Sequence, residues 1–244
     1  MGITNDLIVV GPHDNIYITT YISEPDTLEG RDNSFFKTLR STIPLLLKIK
    51  QTYIYYCESS PLRNVNISSH FKCMETTDKE SISLLNNGIE YDEENEIIFV
   101  SNLVDRRIRL FKRDPNNKYH LKYLNDIKIG FPGDNLHFKK DENGNTILTV
   151  GVMGRLLDHM KFVLKSQKEG KLSGDESTYF GGVKIVIGKG TDLSNKQELV
   201  KNTKVELLVM QNNLFKGISS AYEIKDKVYM SSWADDGLLV CKLK

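Results

Sequence analysis

A unit recurs four times along the 244-residue chain: a polar opening, a short apolar strand, a turn of polar residues, and a second strand that ends in small residues. The first copy runs from Asn5-Asp6 through Leu7 to Val10, turns at His13, Asp14 and Asn15, and continues to Thr20. The second opens at Asn87-Gly88, turns across residues 92–95, returns over 96–101 and adds a strand at 107–111. The third opens at Asp134-Asn135, turns over residues 141–145 around Asn143-Gly144, and returns over 146–151. The fourth covers residues 217–223, turns near Lys225-Asp226, and continues over 227–232 and 238–243. No such unit buries its faces alone, and a repeat of about 40 to 50 residues with up to four strands predicts propeller blades. The expectation is an all-β chain forming one β-propeller domain of roughly four blades.

Spacing qualifies the pattern. Asn87 to Asn135 is one blade length, whereas Asn5 to Asn87 and Asn135 to Gly217 are each nearly two, so these intervals hold another blade's strands, an insertion, or both. Further strands are expected at residues 52–57, 183–188 and 204–210, from their β-branched and aromatic content. Polar insertions are expected over about residues 59–80 and 166–180. One helix candidate spans residues 35–51, beginning at Phe35 and ending at Gln51, with Phe36, Leu39, Ile43, Leu46 and Leu47 forming a partly apolar stripe that Pro44 interrupts. Bordered by Lys37, Arg40, Lys48 and Lys50, it suits either a membrane surface or a lid over the propeller.

Composition excludes several classes. A formal net charge of +1, with Lys and Arg scattered, gives no field for nucleic acid. No stretch approaches the roughly 20 apolar residues of a membrane-spanning helix, and the start lacks the basic and apolar regions of a secretion signal. The chain enters its first strand by Leu7, which implies a missing N-terminal part. The three cysteines, Cys57, Cys73 and Cys241, leave at least one thiol unpaired; such sparse usage favours buried free thiols, with a Cys57–Cys73 bond as the alternative. Asn66-Ile67-Ser68 is a glycosylation sequon, meaningful in a secreted protein.

In a propeller the first strand of each blade lines the central channel, so its opening residues converge. Here they are Asn5-Asp6, Asn87-Gly88 and Asp134-Asn135, whose side-chain oxygens are the hard ligands that calcium selects. Asn and Asp also favour turns and strand ends, and the same amides can hydrogen-bond the backbone of a neighbouring blade. Repetition in register favours the ion.

These residues carry a family resemblance. The run from Asn5 to Pro12 resembles the paraoxonase motif Asn-Asp-Ile-Val-Ala-Val-Gly-Pro. Asn87-Gly88-Ile89 with Ile98 to Leu103 is similar to the family's next ligand blade, and Asp134-Asn135-Leu136 to its Asp-Asn pair. Residues 35–56, with Tyr53, Tyr55 and Tyr56, resemble its lid helix and Tyr-rich strand; residues 217–241 resemble its closing blade. The resemblance implies a six-bladed propeller, here without its N-terminal blades, that is a calcium-dependent lactonase and arylesterase. It implies that Asn5, Asn87, Asp134 and Asn135 hold a catalytic Ca2+ and that Asp6 belongs to a structural one, two ions in all. It implies an extracellular or membrane-associated protein, with small lactones or aryl esters as substrates and a membrane or lipoprotein surface contacted through residues 35–51. Cys241 matches one half of the family's closing disulfide.

Departures from the pattern matter equally. The family's Glu ligand, a second structural Asp and its His pair match nothing in this sequence, and Val152-Met153 stand where the family tends to have Cys-His. His13, His70, His120, His137 and His159 are read as structural or surface residues. With Asp134 the only carboxylate of the catalytic set, calcium affinity and turnover are expected to be low. Two functions follow: a calcium-dependent ester hydrolase, weakly active or inactive in this form, or a non-catalytic, membrane-associated chaperone or accessory protein. An incomplete propeller also leaves strand edges open, so association or poor solubility is expected.

Overall fold

The computed structural model describes residues 3–11, 15–22, 47, 49–59, 71–155, 158, 161, 179–212, 215 and 217–243. The fold is all-β, of the β-propeller class, with four antiparallel sheets as blades. The first contains β1 (Ile3–Val10), β2 (Asn15–Ile22), β3 (Ile54–Ser59) and β4 (Phe71–Glu75); the second, β5 (Asn86–Asp92), β6 (Ile97–Asn102), β7 (Arg107–Arg113) and β8 (Leu121–Lys128). The third contains β9 (Gly133–Lys140), β10 (Thr146–Met153), β11 (Tyr179–Ile187) and β12 (Thr203–Asn212); the last has three strands, β13 (Ile218–Ile224), β14 (Lys227–Ser232) and β15 (Leu238–Lys242). Strands follow one another as simple meanders, the arrangement that short turns between antiparallel strands allow.

The two long intervals resolve the same way. Each lies inside one sheet, between β1 and β4 and between β9 and β12, so neither holds another blade among the described residues. The reading of residues 59–80 as a polar insertion is corrected: Phe71–Glu75 is the outer strand of the first sheet, and Lys79–Ser81 forms a 3-10 turn. The strand there is only five residues long, too short for its alternation to stand out from the polar sequence around it. Tyr179 and Phe180 likewise open β11 and are no part of a loop; residues 166–178 lie outside the described residues. Most of the candidate helix at 35–51 also lies outside them, and Leu47, Ile49, Lys50 and Gln51 are not helical. A helix is present instead at α1 (Lys196–Asn202), where the Asn195 side chain accepts from the backbone of Gln197 and Glu198. That cap satisfies two of the amides a helix start leaves without partners.

The chain divides into two compact units, one of Met1–Asn102 with Arg109–Leu124, the other of Leu103–Ile108 with Asn125–Lys244. The core of the first is built from Ile8, Val10, Tyr17, Ile54, Tyr56, Ile89, Ile98, Val100, Phe111 and Leu121. Alternation on β1 sends Ile8 and Val10 inward and leaves Leu7 and Val9 54% and 58% exposed on the opposite face. Tyr56 sits 5.0 Å from Tyr17 and 5.1 Å from Tyr119 between ring centroids, and the Tyr17 hydroxyl donates to the Lys118 carbonyl at 2.6 Å. Burial pushes Tyr17 well above its ordinary range and Tyr56 up to about 12, so both stay neutral. The first sheet is cross-linked as well. Cys57 and Cys73 lie opposite each other on β3 and β4 and form a disulfide, correcting the free-thiol reading for these two.

The second unit packs Leu148, Val150, Phe180, Val183, Ile185, Ile218, Ala221, Val228 and Met230, all buried. A Lys184–Glu223 ion pair at 2.6 Å ties β11 to β13. Cys241 on β15 is a half-buried free thiol whose pKa burial raises.

Candidate functional site

The first strand of every sheet carries the same irregularity. On β1, Thr4 faces Thr20 and Leu7 faces Ile18, so Asn5 and Asp6 together oppose Thr19. On β5, Asn87 and Gly88 oppose Ser101; on β9, Asp134 and Asn135 oppose Gly151. On β13, the shift falls between Ile218 and Ser220. A bulge of this kind adds a residue, re-aims the side chains beside it and is over-represented next to active sites. The three opening pairs seen in the sequence thus occupy equivalent positions of three strands, and the fourth sheet places Ser219-Ser220 there.

In the first unit, one Asp6 carboxylate oxygen accepts from the Leu7 amide at 2.8 Å and the other from the Ile89 amide at 3.0 Å. The second bond joins the opening of β1 to that of β5. Thr19 reinforces it by donating through its hydroxyl to the Asn87 carbonyl at 2.5 Å. Asp6 thereby plays the backbone-tying role that the sequence left open for these residues. Asn5 is exposed, whereas Asn87 is 3% exposed. Its neighbour Asn86 is just as buried but spent: its side chain donates to the Ser81 carbonyl at 3.0 Å, and its amide donates to the Thr52 hydroxyl at 3.0 Å. Among the described residues the buried Oδ1 of Asn87 accepts from no donor.

In the second unit, Asp134 is 8% exposed, and the buried Oδ1 of Asn135 is likewise without a donor. At Gly151, opposite the bulge, β13 comes close: a Cβ there would meet the Ser219 carbonyl oxygen at 2.6 Å. Beside it, His137 Nε2 lies 2.9 Å from Ser220 Oγ, and the His137 ring meets the Tyr222 ring edge-on at 5.4 Å. Ser219-Ser220 do not stand out in the sequence, because the fourth repeat, taken from Gly217, begins two residues before this position. The polar pair directly before the buried Ala221 was the available signal.

Among the described residues no three His, Cys, Asp or Glu side chains gather in one place. An ion held at the opening of β9 would meet the Asp134 carboxylate together with amide and backbone oxygens, the hard donors that calcium selects. Asn66 and its sequon lie outside the described residues. Cys241, the candidate for a closing disulfide, pairs with neither other cysteine. The fold and these bulged polar openings define a β-propeller with oxygen-rich strand starts. No protein-family model matches the chain, and no curated protein matches it.

Proposed function

We propose that the chain is a paraoxonase-like hydrolase that binds Ca2+ and acts on lactones or aryl esters. The observation that supports this reading is the pair of buried amide oxygens, Asn87 Oδ1 in one unit and Asn135 Oδ1 in the other, that accept no hydrogen bond. A buried acceptor left unpaired costs about 1–3 kcal/mol, and coordination of a hard cation removes that cost. By the resemblance, Asn5 and Asn87 in the first unit and Asp134 and Asn135 in the second would each serve as ligands of a catalytic ion, and Asp6 would contribute to a structural one. When bound, the ion would polarise the ester carbonyl and offset the charge developing on its oxygen. The chain's own contribution is placement: the Asp6 carboxylate and the Thr19 hydroxyl tie the openings of β1 and β5, Asp6 through the Ile89 amide and Thr19 through the Asn87 carbonyl. The Cys57–Cys73 bond supports an oxidising, extracellular setting, in keeping with a secreted enzyme.

Calorimetric titration with CaCl2 tests the reading. With one carboxylate in the set, a Kd of about 0.1–1 mM is expected. Asp134→Ala abolishes the heat, and Asn87→Leu does so while leaving stability in chelator unchanged or higher, since it removes an unpaired acceptor. Absence of saturable binding by the unaltered chain would overturn the proposal, as would binding indifferent to both substitutions. Hydrolysis of aryl acetates or lactones, followed with and without chelator, is expected to be slow and calcium-dependent.

A further inference from the structure

The third and fourth sheets, both within the second unit, bring a nucleophile and a base together that the calcium reading does not use. Ser220 stands on β13 at the bulge position where the other sheets carry Asp6, Gly88 and Asn135. Its hydroxyl oxygen lies 2.9 Å from His137 Nε2, inside the range for proton transfer between a nucleophile and its base. The ring is held as well as placed. Tyr222 meets it at 87° between ring planes, and the Lys139 ammonium lies 5.4 Å from the centre of the Tyr222 ring while donating to the Glu223 carbonyl at 2.9 Å. Both partners are half-buried, accessible to a small molecule yet partly withdrawn from water. Asn135, with its donorless oxygen, is two residues before His137 on the same strand.

We propose that Ser220 and His137 form a nucleophile–base dyad that takes the acyl group of a carboxylic ester. This rests on the hydrolase reading for its substrate class only. With the ring proton on Nδ1, Nε2 accepts the Ser220 proton as Oγ bonds to the ester carbonyl carbon. The carbon–oxygen bond to the leaving alcohol then breaks, and that alcohol takes the proton from Nε2. In a lactone the released hydroxyl stays tethered to the acyl group. Water then bonds to the acyl carbon while giving its proton to Nε2, the bond from that carbon to Ser220 Oγ breaks, Oγ takes the proton back from Nε2, and the free acid leaves.

The test is labelling of the full chain with an alkyl fluorophosphonate, which reports an activated serine without turnover, followed by peptide mass spectrometry. The expected result is one adduct, on Ser220 and not on Ser219 or Ser231, formed about a hundredfold more slowly in His137→Gln. An adduct elsewhere, no adduct, or equal rates in His137→Gln would overturn the proposal. Thermal melts of His137→Gln and Ser220→Ala establish that the variants fold, and labelling of the unaltered chain decides the matter whatever the melts show. Calcium calorimetry on Ser220→Ala separates the two ideas. Ser220 labelling without calcium binding sinks the metal reading alone, and calcium binding without Ser220 labelling sinks the dyad alone.

Discussion

Asn86 and Asn87 are adjacent, chemically identical and equally hidden, yet only one has its amide satisfied. The difference arises from alternation and the bulge: Asn86 is turned toward the carbonyl of Ser81, and Asn87 begins the two-residue step that re-aims side chains. Sequence types cannot express that difference. Glu96 shows the opposite case, a charge whose partners are all in place. It accepts from Tyr91 at 2.6 Å and pairs with Arg113 at 2.7 Å. Burial works to raise its pKa, but the bonds from Tyr91 and Arg113 outweigh it and hold it below its ordinary value of 4.5. A depressed folded pKa contributes stability that is complete above the unfolded value and lost as pH falls through the folded one. Urea unfolding of Glu96→Gln should therefore show a loss of about 2 kcal/mol at pH 7 that shrinks toward zero in acid below the carboxylate range. A loss independent of pH would contradict the ion-pair account.

At the scale of elements, the strands that read clearly from sequence are those with both faces buried or with strict alternation, such as β6, β10 and β14. The five-residue β4 did not, because it is fixed by pairing with β3 and by the bond from Cys73 to Cys57. That bond closes a loop with a sequence separation of 16. Chain entropy assigns about 3 kcal/mol to a loop of this size. Reduction, or replacement of both cysteines by serine, should lower unfolding free energy in urea by about that amount. An unchanged midpoint under reducing conditions would show that β4 is held by its ladder alone.

For the molecule as a whole, exposed apolar groups and open edges set the behaviour in solution. Leu7 and Val9 are 54% and 58% exposed in the first unit, and Leu238 and Val240 are 55% and 46% exposed in the second. Among the described residues, no strand pairs with the outer edge of β15. Such an edge is a template for another strand, and a formal net charge of +1 offers little repulsion against it. Light scattering across a concentration series should show association that Val240→Lys reduces; a monodisperse monomer at all concentrations would contradict this.

The fold class, four strand units and the polar pairs that open three of them are legible in the residue order, because strand alternation and turn chemistry are local and leave their mark in neighbouring residues. It takes the packed sheets to show which of those pairs are already satisfied, that Asp6 ties β1 to β5, that Cys57 meets Cys73, and that His137 meets Ser220 across 83 residues of chain. Those facts depend on strand register, and those at the strand openings also on the bulge that shifts it. Register is set by the packing of whole sheets and not by any one residue's preference.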